Sequence, residues 1–180
     1  MAFPLPAPPL VSAAVGLRLR PWTVDDAPAL AEAWAVPDIA AQATVPGSGT
    51  EADARRWIEG AAARREVGLS LDLVVGPVDG ADVWGEVGLA PLRLTAAGAA
   101  RDEVEVGWWV RPPHRRRGVA TAAAGLLTRW AGDDLGVPRL VARIGRGDTA
   151  SAGVARAVGL ARLGPLGADR DLWATARPPV

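Results

Sequence analysis

The sequence predicts a mixed α/β domain in which one central sheet is covered by helices. Three observations carry that prediction. EVEVGWWV at 103–110 alternates residue types with the two-residue period of a strand, whereas Leu30, Ala33 and Trp34 recur at helical spacing. Strand-like and helix-like segments follow one another in the order β-α-α-β-β-β-α-β-α-β-β, with no internal repeat. A length of 180 residues, with 49% apolar content and eight Trp, is enough to bury one sizeable core.

In chain order, residues 1–16 are apolar and Pro-rich, and are expected to form a flexible leader before a single domain at 17–177. GLRLRPW places Leu17 and Leu19 on one face of a short strand and Arg18 and Arg20 on the other. Thr23 caps the next helix, whose first turn carries Asp25 and Asp26 where the helix dipole favours acids. Residues 36–49 read as loop with one turn. Thr50 and Asp53 are spaced as a capping box for a helix reaching Glu66. Leu69, Leu71 and Leu73 alternate as a strand, VDGAD at 78–82 reads as a hairpin turn, and a second strand follows. TAAGAARD at 95–102 is a polar connection. In the strand at 103–110, Val104 and Val106 share one face and Glu103 and Glu105 the other. The Ala-rich run at 120–136 is a helix ended by Gly136 and Pro138. RLVARI at 139–144 is a strand, Asp148 caps a helix ending at Gly159, and 160–166 and 169–177 are the last strands.

Composition excludes several functions. Zero net charge argues against a nucleic-acid or anionic-membrane binder. The absence of Cys removes thiolate catalysis and Cys-based zinc sites, and a single His makes a metal site or a Ser-His triad improbable. All twenty basic residues are Arg, a bias expected of a GC-rich genome. No apolar run reaches transmembrane length, and the N-terminus lacks the basic start of a signal peptide, so a cytoplasmic location is expected.

The most specific stretch is VRPPHRRRGVATAAAGLL at 110–127. A strand, a basic glycine loop and a helix together make an anion site, because the first helical N–H groups lack internal partners and sit at the positive end of the dipole. Gly118 permits close backbone approach and Ala120 stays small, while Arg115, Arg116 and Arg117 add charge at the rim. The spacing is neither a Walker loop nor a dinucleotide fingerprint.

The remaining pattern, Arg115-x-x-Gly118-x-Ala120 after a strand with alternating glutamates, resembles the acetyl-CoA motif of the GNAT N-acetyltransferase superfamily. EVEVGWWVRPPHRRRGVATAAAG, LVARIGRGDTASAGVARAVGLARLG and the opening GLRLRPWTVDDAPALAEAWA are similar, in that family's order, to segments of its branch that acetylates ribosomal-protein N-termini (RimJ/RimL-like). The resemblance implies a mostly antiparallel sheet, splayed into a V between its fourth and fifth strands and flanked by about four helices. It implies acetyl-CoA as co-substrate, no metal, an amine acceptor from a protein N-terminus or a small molecule, and a homodimer through exposed final strands as one option. The pyrophosphate would lie on Arg116, Arg117, Gly118, Val119, Ala120 and Thr121, and the pantetheine and acetyl group along Val106, Trp108, Trp109 and Val110. Asp148 stands where the family usually has Asn, and can accept but, ionised, not donate a hydrogen bond. There is no Tyr to protonate the leaving thiolate, so Ser151 is expected to take that part, or to serve only as a helix-capping hydroxyl. Glu105 is the first candidate for the base, followed by Glu103 and Glu86; each could instead be the polar face of its strand. His114 is expected to be a solvent-exposed loop residue. The alternative function is an acyl-CoA-binding module that keeps the fold without efficient chemistry.

Overall fold

A computed structural model describes residues 2–7, 9–42, 45–91 and 103–176. The polar connection expected at 95–102 lies outside the described residues. The strands are β1 (Val11–Ser12), β2 (Leu17–Pro21), β3 (Leu71–Pro77), β4 (Gly85–Pro91), β5 (Glu103–Val110), β6 (Arg139–Gly145), β7 (Ala161–Leu166) and β8 (Arg170–Ala174). The helices are α1 (Ala27–Trp34), α2 (Pro37–Ala40), α3 (Glu51–Glu59), α4 (Ala61–Glu66), α5 (Val119–Asp133) and α6 (Thr149–Ala157). One sheet runs in the order β1-β2-β3-β4-β5-β6-β8-β7, antiparallel throughout except where β5 meets β6. This is the mostly antiparallel α/β architecture that the sequence predicts, with the predicted fourth and fifth strands as β5 and β6.

The two-residue period divides the side chains between two cores. Leu19, Leu73, Val87 and Val106 face α5 and α6, where they meet Leu127, Trp130 and Ala155. Trp22, Val74 and Trp109 face the other way and pack with Leu30, Trp34 and Ile58 of α1 and α3. Both expected caps form. Thr50 and Asp53 make a capping box, and Thr23 makes one with Asp26, whose carboxylate also takes two hydrogen bonds from Arg20 at 2.7 and 2.8 Å.

Three details differ from the sequence reading. The leader is anchored at two points: Phe3 is 1% exposed in the α5-side core, with its amide donating to the Arg65 carbonyl at 3.0 Å, and Leu19 N donates to Leu10 O at 2.8 Å. The chain's only Phe supplies enough apolar area to hold an extended Pro-rich segment, whose prolines have no N–H to satisfy. The helix expected from Thr50 to Glu66 divides at Gly60, the poorest helix former in it, so α3 and α4 are separate. Leu69 is exposed and precedes its strand, which starts at Leu71.

Asp26 generates a prediction. Burial would raise its pKa, but the Arg20 guanidinium and the Thr23 amide and hydroxyl outweigh that and hold the carboxyl below the usual range. Its stabilising contribution is therefore complete above about pH 4, the unfolded value, and is lost as pH falls through the lower folded value. Asp26→Ala should cost about 3 kcal/mol in urea unfolding at neutral pH, and the difference from wild type should shrink below pH 4.

Candidate active site

The site begins with a sheet that stops pairing. β5 and β6 are joined in parallel register only at Glu103↔Arg139, Val104↔Leu140 and Glu105↔Val141. Beyond Glu105, β5 continues to Val110 and β6 to Gly145 without pairing, so the strands diverge into a V. The β5 backbone groups on that side are left for another partner, since buried N–H and C=O groups need one.

At the wide end of the V, β5 runs through a 3-10 turn at Pro112–His114 into the arginine loop. The backbone is left-handed at Arg116 (φ 61) and again at Gly118 (φ 77), the N-cap of α5. Such reversals curl a chain so that consecutive amides converge on an anion. The first helical bond runs from Ala122 N to Gly118 O at 2.9 Å, so the amides of Val119, Ala120 and Thr121 have no partner within the helix. A Cβ on Gly118 would meet only Val15 at 4.0 Å; glycine is needed there for its φ and for what approaches from outside.

These elements enclose a cleft of about 530 Å³. Trp108, Trp109 and Val110 form the strand side, Arg115, Arg116, Gly118, Val119, Ala120 and Thr121 the loop and helix side, and Asp148 and Ser151 the α6 side. Val106 lines a second cavity of about 320 Å³ that passes through the V and shares Trp108, Asp148 and Ser151 with the first. Arg117 is exposed and does not line either cavity. Arg115 is tied into the protein: its Nε donates to Val110 O at 2.7 Å and its Nη2 pairs with Asp38 at 2.9 Å.

Asp148 is the N-cap of α6. It accepts from Ser151 N at 2.9 Å and from Gln42 Nε2 at 3.3 Å, which occupies the position as a cap and a cross-link. Ser151, in the first turn of α6, stands where the two cavities meet. Glu105 lines the second cavity and accepts from Arg143 Nε at 2.7 Å. Glu103 is buried at 9% exposure, 2.7 Å from Arg139 Nη1, and lines neither cavity.

Glu86 stands behind Trp109, its neighbour across the β4–β5 pair. Trp109 Nε1 donates to one carboxylate oxygen at 3.1 Å and Trp22 Nε1 to the other at 3.0 Å. Burial first, and then the nearby Asp72 carboxylate, push its pKa up to about 8. Gly85 makes the close approach possible, because a Cβ there would lie 2.2 Å from the Trp109 carbonyl oxygen. Both adjacent tryptophans line the cleft, but Trp108 packs against the α5-side core while Trp109 joins Trp22 on the opposite face.

His114 is not a solvated loop residue. It stacks on Trp84 at 5.3 Å, its Nε2 lies 3.6 Å from Asp82, and it lines the cleft. Burial, with Arg111 and Arg117 nearby, depresses its pKa against the pull of Asp82. Sequence reasoning missed Asp38, Ile39 and Gln42, which close the cleft from α2 and the turn after it. A helix of four residues has no period to detect; Pro37 at its first turn is the only signal. Among the described residues no group of three His, Asp or Glu is placed to hold a metal ion, and no helix is long and apolar enough to cross a membrane.

Residues 16–161 match the family model described as acetyltransferase (GNAT) domain. Several solved structures share the fold. RimJ of Mycobacterium smegmatis, solved in complex with CoA-disulfide, is 21% identical with a TM-score of 0.74, over 89% of this chain and 82% of its own. An acetyltransferase from Agrobacterium tumefaciens is 24% identical with a TM-score of 0.73, over 98% of both chains. The ribosomal-protein-S5-alanine acetyltransferase from Vibrio fischeri is 15% identical with a TM-score of 0.73, over 90% of this chain and 93% of its own. No curated protein matches.

Because two indoles report on the Glu86 carboxyl, tryptophan fluorescence should titrate with a midpoint near pH 8, and Glu86→Gln should remove that step. The raised pKa also means that wild-type stability falls as pH rises from about 4 towards 8, where only the unfolded chain has lost the proton. Urea midpoints across that range check the slope.

Proposed function

The chain belongs to the GNAT acetyltransferase family, and from that premise we propose that it transfers the acetyl group of acetyl-CoA to a primary amine, on a protein N-terminus or a small molecule. The observation that carries this reading is the junction of a β5 edge unpaired by β6 with a left-handed loop and three helix amides that have no partner within the helix. The edge suits the amides of a pantetheine arm, and the loop suits its pyrophosphate. The M. smegmatis neighbour, solved with a CoA disulfide, supports the choice of ligand.

In this reading the acceptor ammonium gives up a proton through water to Glu105, at the floor of the second cavity. The amine nitrogen attacks the thioester carbonyl carbon; a C–N bond forms and the carbonyl electrons move onto oxygen, held by β5 N–H groups near Trp108 to Val110. Collapse of that intermediate breaks the C–S bond, the nitrogen loses its second proton to water, and the thiolate takes a proton from Ser151, whose hydroxyl is restored by a proton from water. The products are the N-acetylated amine and CoA. Glu86 lines neither cavity and is a positioning residue, which orients Trp109 from behind.

Calorimetry with acetyl-CoA should give one-to-one binding that Gly118→Trp abolishes. Ser151→Ala should lower kcat by about 10²-fold while CoA affinity stays within about twofold of wild type. Binding without turnover on any amine would favour the acyl-CoA-binding module; absence of binding would overturn both.

A further inference from the structure

The second cavity has two chemically different ends. Glu105, with Arg143 bonded to it at 2.7 Å, and Asp148 lie at the V, and Arg170 lies toward β8. In the β6–β8 register, Arg143 faces Leu172 and Gly145 faces Arg170, so the two arginines are diagonal neighbours on one face. Diagonal pairs have Cα atoms about 7–8 Å apart, within reach of long side chains. The floor between them is open: a Cβ on Gly107 or Gly145 would meet nothing within 4 Å.

The carboxylates of the lining leave the terminal nitrogens of both arginines short of partners. Glu105 engages Arg143 through Nε alone, Asp38 is paired with Arg115, and Asp148 is held by Ser151 N and Gln42. Asp169 is exposed and pairs with neither arginine. Among the described residues, Arg143 makes no hydrogen bond through its terminal nitrogens, and Arg170 makes one, at 3.4 Å to the Ala41 carbonyl. A planar guanidinium in this state is suited to a carboxylate.

We propose that the cavity is the acceptor site, and that it selects peptide-like amines whose second to fourth residue carries a carboxylate, which docks on Arg170, flanked by the terminal nitrogens of Arg143, while the reacting nitrogen sits at Glu105. The length of the cavity sets the class. Val141, beside Glu105, and Gly145, beside Arg170, are four residues apart on β6, about 13 Å along the strand. A free amino acid at Glu105 is too short to span that distance toward Arg170, and an N-terminal peptide is long enough. This inference rests on the acetyl-transfer reading above.

The test uses the full chain with acetyl-CoA and three C-terminally amidated peptides, Ala-Glu-Glu-Ala, Ala-Gln-Gln-Ala and Ala-Lys-Lys-Ala, with glutamate as the small-acid control. The expected result is a KM at least tenfold lower for the acidic peptide than for the glutamine peptide at similar kcat. Arg170→Gln should erase that ratio by raising KM for the acidic peptide, and Arg170→Lys should restore part of it. Equal KM values, preference for the lysine peptide, preference for glutamate over the peptides, or an unchanged ratio in Arg170→Gln would each overturn the proposal. If no peptide turns over, calorimetric binding of the same three to CoA-loaded protein decides it on the same ratio. CoA release and acetyl-CoA binding report separately on the transfer reading, so the two failures remain distinguishable.

Discussion

Three residue pairs of parallel sheet, followed by none, set the terms for the rest of this molecule. A strand that leaves its neighbour exposes backbone groups that must be satisfied by something else. Here the exposed edge of β5 leads directly into the arginine loop and the N-terminus of α5, so the unpaired strand amides and the unpaired helix amides border one cleft. Both are fixed in place by the fold. A ligand that meets them gains hydrogen bonds without first ordering the protein, which is the condition under which polar contacts add most to affinity.

Keeping the V open requires cross-links that are not part of the sheet. Arg111 pairs with Glu32 of α1 at 2.6 Å, Arg115 with Asp38 of α2, and Gln42 with Asp148 of α6. The α1–α2 segment is thereby anchored to the segments after both diverging strands. Each contact is partly exposed, and singly such pairs are worth little. The two cores carry the stability: the tryptophan cluster Trp22, Trp34, Trp57 and Trp109 sits under α1 and α3, and the aliphatic core under α5. Glu86 joins a strand of the site to the first of these cores through its two indole partners.

The parts of the fold that were legible in the sequence are those governed by local period and local capping. Thr50 and Asp148 announce helix starts because a short polar side chain satisfies an amide three residues on, and both do so; Thr23 instead opens a 3-10 turn at Val24–Asp26 ahead of α1, with its hydroxyl donating to Asp26. The loop at Arg115 to Gly118 was legible because strand, glycine and helix follow without interruption. What escaped depends on pairing over long separations. Nothing local says that Arg143 will meet Glu105, that Trp22 and Trp109 will share Glu86, or that Phe3 will find a site on the α5-side core. Arg117 shows the limit of a motif: in a run of three arginines the chemistry is equal, and only backbone direction turns Arg115 inward and leaves Arg117 outside.

The most direct test of the V as the acetyl-CoA site is residue-resolved amide hydrogen exchange, measured on the free protein and at saturating acetyl-CoA. The β5 amides between Val106 and Val110 that face β6, and those of Val119 to Thr121, should exchange quickly in the free protein and slow by at least tenfold in the complex, while β2 and β3 stay unchanged. Acetyl-CoA that binds without protecting these amides, or that protects a different strand edge, would contradict the account.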